Sequence, residues 1–249
     1  MVFDASCNKT GPSLNDCLYT GPSLTESLFG VMLRFRQYRY AFISDIEKAF
    51  LQISIDKEHR DFVRFLWFKN FDELNSDNIQ NSPLQIYRLC RVLFGVTSSP
   101  SILASTIIEH INKSDNKTFV NKFLKSLHVD DLNSGGETIE EVYQFYTEAK
   151  NTLSEASFNL RKFQSNSTEL DNLVQSDMNS SFTTKIFGLT WDKKKDCFVF
   201  SFSHLLSLAF EKPTKRQLIQ FFASLYDPLG LLNRYVVKLK ILFQKVCTE

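Results

Sequence analysis

Two adjacent carboxylates sit between short apolar runs in Leu127-His128-Val129-Asp130-Asp131-Leu132. Far earlier in the chain, Phe42-Ile43-Ser44-Asp45-Ile46 sets one carboxylate at the end of another apolar run. Acids at a hairpin tip, facing a third acid on a neighbouring strand, can hold two divalent cations close together, the arrangement used for in-line phosphoryl displacement. An Asp–Asp pair alone reads more often as turn chemistry, because Asp favours turns, and a lone Asp45 as the partner of a Lys or Arg. The apolar flanks weigh the other way, since two like charges in a half-buried hairpin are costly without a cation. Nucleotidyl transfer is the first hypothesis. A second segment, Leu93 to Ile102, runs through Gly95-Val96-Thr97-Ser98-Ser99-Pro100. It is either an ordinary helix start or a small-residue turn against which a flat base pair can lie.

The elements that must position these groups follow from periodicity. Leu28 to Tyr40 carries an apolar stripe interrupted by Arg34, Arg36 and Arg39, as an amphipathic helix does. Tyr40–Ile46, Phe62–Phe68 and Leu84–Val92 read as strands, the last two separated by a polar loop. Ser99 is placed to cap a helix with Pro100 at its first position. Phe123–Val129 and Leu132–Ser134 would flank the paired acids as a hairpin. Thr138 and Glu141 suit a capping box for a helix with stripe Ile139, Val142, Tyr146, Ala149 and Leu153. Phe187–Trp191 and Cys197–Phe200 read as strands joined by the Asp192–Asp196 turn. Thr214 with Gln217 caps a last helix that stops at Asp227-Pro228. Strands, helix, hairpin, helix and strands in that order predict an α+β fold rather than repeated βαβ units.

Composition constrains function less. The chain has 249 residues and is 43% hydrophobic, enough for a substantial core in one domain or two lobes. Its net charge of +1 neither suggests nor excludes a polyanionic partner. Positive charge is local, as in Lys193-Lys194-Lys195, where solvated surface competes with phosphate tracking. Five scattered cysteines without a C-x-x-C pair argue against zinc and against a disulfide scaffold, and suit a reducing compartment. No signal peptide opens the chain, and no apolar run approaches the ~20 residues of a membrane span. The expected location is intracellular, cytoplasmic or nuclear, with no membrane partner. The first 25 residues repeat Thr-Gly-Pro-Ser-Leu once and read as a turn-rich lead.

Taken in order, these segments resemble the reverse transcriptase domain of BEL/Pao-type long-terminal-repeat retrotransposons. Ser44-Asp45-Ile46-Glu47-Lys48-Ala49-Phe50, Phe94-Gly95-Val96-Thr97-Ser98-Ser99-Pro100 and His128-Val129-Asp130-Asp131 look like three successive polymerase motifs. Phe158 to Asn166 and Phe187-Gly188-Leu189-Thr190-Trp191-Asp192 look like the next motif and the primer-grip hairpin. Val2 to Ser6 with Gly11 to Asn15 resembles part of the fingers, and Pro213 to Leu231 the segment beyond the palm. The resemblance implies an α+β right-hand palm with partial fingers and the start of a thumb or connection, divided as residues 1–205 and 206–249.

By that resemblance, Asp45, Asp130 and Asp131 bind two Mg²⁺ (Mn²⁺ can substitute), joined by the Ile46 carbonyl. Phe50 excludes a 2′-hydroxyl, and Gly95, Val96, Ser99 and Pro100 line the nucleotide pocket with Ile46. Lys162 protonates pyrophosphate or is simply a surface lysine, and Phe187, Gly188 and Trp191 form the primer grip. The partners implied are a primed RNA or DNA template and deoxynucleoside triphosphates. Three departures stand out: His128 in place of the usual Tyr, Phe94 where retroviral enzymes have Gln, and a start at Met1 just after the expected basic fingers residue. Upstream fingers strands and recognisable protease, RNase H and integrase segments are not expected in the chain. The leading function is RNA-directed DNA synthesis; the alternatives are a fragment that only binds nucleic acid and one too incomplete to stay folded.

Overall fold

The computed structural model describes residues 3–69, 82–175, 182–200 and 214–248. Among them the strands are β1 Tyr40–Ile46, β2 Arg64–Phe68, β3 Leu84–Arg88, β4 Leu127–His128, β5 Asp131–Gly136, β6 Leu160–Ser165, β7 Thr183–Ile186, β8 Leu189–Asp192 and β9 Cys197–Val199. Helices and sheets are mixed in an α/β arrangement, and no described helix is long and apolar enough to cross a membrane. The chain divides into two compact units, one of Met1–Thr25, Ile46–Val120 and Lys150–Leu160, the other of Glu26–Asp45, Asn121–Ala149 and Arg161–Glu249. The expected division at 205/206 and the polar loop after Phe68 both fall mainly outside the described residues.

In the first unit, β2 and β3 form an antiparallel ribbon from Arg64↔Arg88 to Phe68↔Leu84. Both strands are shorter than their apolar runs suggest. Phe62 and Val63 belong to a 3₁₀ segment, Lys57–Val63, that starts at Asp56, whose carboxylate accepts from the Glu58 N–H. The helix Ser99–Ile111 begins one residue earlier than expected. Ser98, not Ser99, is its N-cap, and it makes no side-chain capping bond; Ser99 opens the helix and Pro100 follows, where a missing N–H still costs nothing. Leu103, Ala104, Ile107 and Ile111 form its buried face.

In the second unit, a four-stranded sheet runs in the order β4-β5-β1-β6. Its apolar face carries Phe42, which stacks on Phe163 with ring centroids 5.1 Å apart and meets Tyr146 edge-on at 5.7 Å. The helix Leu28–Phe35, capped by Ser27, buries Val31, Met32 and Phe35 and stops well short of Tyr40 because the chain must turn before β1 starts there. Residues 123–126 are also corrected: they end the helix Lys117–Ser126, and only Leu127–His128 is extended. Phe119, Val120, Phe123 and Leu127 are all buried, a spacing that satisfies a helix better than a strand. The Thr138–Glu141 box is present: Thr138 Oγ1 accepts from the Glu141 N–H, and the Glu141 carboxylate accepts from the backbone N–H groups of Glu137 and Thr138.

A three-stranded meander, β7-β8-β9, completes this unit. Phe187 and Gly188, read from sequence as strand, are instead the two-residue turn between β7 and β8, both at positive φ (46° and 87°) as a type I′ hairpin turn requires. Strand β7 is an addition to the sequence reading. So is the helix Asn233–Thr248, since the chain does not stop its helices at Asp227. There the Asp227 carboxylate accepts from the Leu231 and Leu232 N–H groups and turns the chain into that helix. The expected Thr214–Gln217 box is present, with Thr214 N–H and hydroxyl both donating to Gln217 Oε1 and the Gln217 N–H returning to Thr214 Oγ1.

Trp191 is fully buried with Phe35, Ala41 and Ile186. Its ring meets Phe35 edge-on at 4.9 Å, and its indole N–H donates 3.0 Å to Asp196 Oδ1. The same carboxylate oxygen accepts from Arg36 at 2.6 Å, so one acid ties the meander to the end of the Leu28–Phe35 helix. Replacing Trp191 by Ala removes the ring contact and strands part of that network. The expected loss is about 3–5 kcal/mol of unfolding free energy, as for other buried aromatic truncations, read as a lower urea midpoint by circular dichroism.

Candidate active site

The register of β1 on β5 decides where the acids go. Tyr40↔Gly136 continues through Ile43↔Asn133 to Asp45↔Asp131, so these two carboxylates are cross-strand partners. Directly opposed Cβ atoms in an antiparallel pair are about 4.5–5.5 Å apart. Since His128 pairs with Asp131, Val129 and Asp130 form the two-residue turn that links β4 to β5. Val129 has φ of 59°, a conformation a β-branched residue seldom adopts. The third acid, Asp130, therefore sits on the turn next to the opposed pair.

The electrostatics are those of crowded carboxylates. Burial, with the charges of Asp130 and Asp45 added to it, pushes the Asp131 carboxyl up to about 6. Burial also raises Asp130, and Asp45 adds to that effect. His128 and Lys162 pull both acids the other way. The Lys162 ammonium donates 2.7 Å to Asp45 Oδ2, and this bond is the main reason the lysine's own pKa is raised. The other oxygen, Asp45 Oδ1, is buried without a hydrogen-bond partner.

Asp45, Asp131 and Lys162 line one cavity of about 180 Å³ together with Asn133, Gln164 and Phe187. Three of the expected catalytic residues, Asp45, Asp131 and Lys162, and the primer-grip candidate Phe187 thus meet on this cavity in the second unit, with Asp130 on the adjoining turn. Gly188 lies beside Phe187 on the turn, where an added Cβ would fall 2.8 Å from Tyr226. Trp191 is in the core instead of lining the cavity. His128 packs edge-on against Phe187 at 5.0 Å, and its Nδ1 lies 2.9 Å from the Glu26 carbonyl oxygen. A carbonyl only accepts, so this bond puts a proton on Nδ1. Among the described residues, no three His, Cys, Asp or Glu side chains stand ready-made around one metal position. The donor set is nevertheless all oxygen, which suits a hard cation, and the orphaned Asp45 Oδ1 is an acceptor awaiting a partner.

The nucleotide-pocket candidates Ile46, Phe50, Gly95, Val96, Ser99 and Pro100 belong to the first unit. Ile46 ends β1 and is buried, as are Phe50 and Ser99. The Phe50 ring is met edge-on by Phe94, centroids 4.6 Å apart, and Phe94 is exposed. Gly95 has φ of 87° and approaches the Phe3 carbonyl so closely that a Cβ would stand 3.0 Å from it. Asn15 holds this turn from both sides: its Nδ2 donates to the Gly95 carbonyl and its Oδ1 accepts from the Thr97 N–H. Sequence reasoning misses that role, as it misses the buried amide of Asn133 in the cavity. Asn15 stands in a segment with a recognisable pattern, but nothing local ties it to residues about eighty positions away.

Residues 214–249 match the family described as Pao retrotransposon-like RNaseH-like domain. This match runs against the expectation that no RNase H segment is recognisable in the chain, which failed because amphipathic helices and their caps carry no chemical motif. No curated protein matches the chain. A foamy viral protease–reverse transcriptase solved with an RNA/DNA hybrid aligns over 89% of this chain at 12% identity with a TM-score of 0.53. A second foamy viral protease–reverse transcriptase structure, with double-stranded DNA, aligns over 75% at 16% identity with a TM-score of 0.49. The chain spans about a quarter of the length of each, 26% and 27%. The first alignment shows a shared mixed α/β fold.

A carboxyl raised on folding binds protons that the unfolded chain has already released, so it weakens the fold as pH rises through its folded value. For Asp131 the window runs from its usual 3.8 to about 6. In EDTA, Asp131→Asn is expected to stabilise the protein by roughly 1–2 kcal/mol at pH 8, after allowance for solvent screening, and by little at pH 4. Urea unfolding across that range reads the difference; an unchanged pH slope would show that the acid is not destabilised.

Proposed function

We propose that the chain is the fingers and palm of an RNA-directed DNA polymerase, residues 1–205, leading through 206–249 into a thumb or connection. The observation that carries this reading is the β1–β5 register, which opposes Asp45 to Asp131 and sets Asp130 on the adjoining turn. Support comes from the fold shared with a foamy viral protease–reverse transcriptase, whose structure contains an RNA/DNA hybrid. The Pao retrotransposon-like match at 214–249 supports a retroelement origin for the segment after the palm. The template is RNA or DNA with an annealed primer, and the substrates are deoxynucleoside triphosphates.

Asp45, Asp130 and Asp131, with the Ile46 carbonyl, hold two Mg²⁺ or Mn²⁺ ions in this reading. Bound there, such ions supply activation of the primer 3′-hydroxyl and charge stabilisation at the leaving pyrophosphate. The chain's own groups do the rest. Phe50, buttressed by Phe94, closes the space a 2′-hydroxyl needs. Gly95, Val96, Ser99 and Pro100 present a flat, small-residue wall to the base pair. Phe187 and Gly188 hold the primer end on a rigid turn that Trp191 anchors from the core. Lys162 donates a proton to pyrophosphate as it leaves.

Primer extension with Mg²⁺ tests the proposal. The unaltered chain is expected to extend a primer, and Asp130→Asn to lower the rate by roughly 10²–10³-fold, the scale for losing one transition-state charge contact. Retention of primed template by both proteins, with extension by neither, would favour the binding-only fragment. Where extension occurs, Phe50→Ala is expected to raise ribonucleotide incorporation relative to deoxynucleotide by roughly 10–200-fold, the range for opening an apolar pocket. Unchanged discrimination would remove Phe50 from the gate.

A further inference from the structure

Lys162 is held at φ of 54° within β6, a left-handed conformation that a lysine gains nothing from by itself. What it gains is the contact at its tip. Its Nζ lies 2.7 Å from Asp45 Oδ2, while most of the lysine side chain, 64%, stays exposed and the aspartate is mostly covered. The ammonium therefore reaches in from solvent to a carboxylate that is largely out of it. Asp130 and Asp131 also feel its charge. One ammonium faces three acids, and Asp45 Oδ1 is buried with no donor at all.

We infer that Lys162 is the resident counter-ion of Asp45, and that a divalent cation takes this carboxylate only by displacing the lysine. The inference rests on the metal reading proposed above and adds an order of events to it. A carboxylate oxygen in a short bond to an ammonium cannot also give its full charge to a metal ion. A doubly charged, oxygen-seeking ion wins the competition because it engages several of the acids at once, whereas the ammonium bonds one oxygen. Displacement frees the lysine on its long stem, at the same site, for a second partner such as a departing pyrophosphate. Lys162 is thus a positioning residue for Asp45 before it is a proton donor.

The test is direct Mn²⁺ binding by calorimetry, with no nucleotide or nucleic acid, on the full chain. Lys162→Met is compared with Lys185→Met, which removes a second cation lining the same cavity. Lys162→Met is expected to bind Mn²⁺ about tenfold or more tightly than the unaltered protein, and Lys185→Met within about threefold of it. Without metal, Lys162→Met should melt lower than the unaltered protein, and saturating Mn²⁺ should close that gap. Equal tightening in both variants would reduce the effect to general charge, and no tightening in Lys162→Met would remove the competition; either overturns the inference while leaving the metal site standing. If neither the unaltered chain nor Lys162→Met binds Mn²⁺, the metal reading and this inference fall together. Binding by Lys162→Met alone supports the inference in its strongest form.

Discussion

Asp45 and Asp131 are opposed across two hydrogen-bonded strands, and like charges at that separation repel unless something positive is placed among them. The rest of the second unit reads as a consequence of tolerating that opposition. A one-residue slip of β1 against β5 would turn Asp45 to the face away from Asp131 and bring Phe42 out of its cluster with Tyr146 and Phe163. The apolar face therefore enforces the register, and the register enforces the charge crowding. Stability of the core and chemistry of the site are coupled through a single alignment of strands.

This coupling explains why the acids are legible in the sequence. An apolar run ends at Asp45 and short apolar runs flank Asp130-Asp131, so the pattern that specifies the strands also specifies where the charges lie. Strand β1 is readable to the residue for the same reason. Legibility fails where the local pattern serves two periods at once. Phe123 to Leu127 is as apolar as a strand, but its burial partners recur at helical spacing with Phe119 and Val120, and tertiary packing chooses the helix. Phe187 and Gly188 look like strand because their neighbours are; only the pairing of Ile186 with Leu189 shows that they must be the turn.

Side chains that act across long sequence separations are not readable at all. Asn15 fixes the Gly95–Thr97 turn with both ends of one amide, yet an Asn after Gly-Pro-Ser-Leu suggests only a local turn. The Arg36–Asp196–Trp191 network is similar: each residue has an ordinary local role, and their convergence exists only in the fold. The segment at 214–249 shows the complementary limit. Its Thr214–Gln217 cap is plain in the sequence, but a cap reports a helix end and nothing about the kind of domain the helix enters.

Backbone strain gives an independent measure of how firmly the site is held. Val129, Lys162 and Phe187 all adopt positive φ without being glycine. Each lies at the acids or on their cavity: one on the turn beside Asp130, one bonded to Asp45, one on the cavity wall. Such conformations cost of order 1–3 kcal/mol apiece and persist only where surrounding structure over-determines them. For Val129 the closing pair His128↔Asp131 leaves room for just two turn residues, and for Phe187 the pair Ile186↔Leu189 does the same. Lys162 has no turn to close, so its strain has no such local excuse. The Phe42–Phe163 stack fixes the next residue of β6, and the Ser44 hydroxyl donates 2.6 Å to the carbonyl of the preceding one, Arg161. Pinned from both sides, residue 162 takes the conformation its neighbours leave it, and its ammonium is delivered to Asp45.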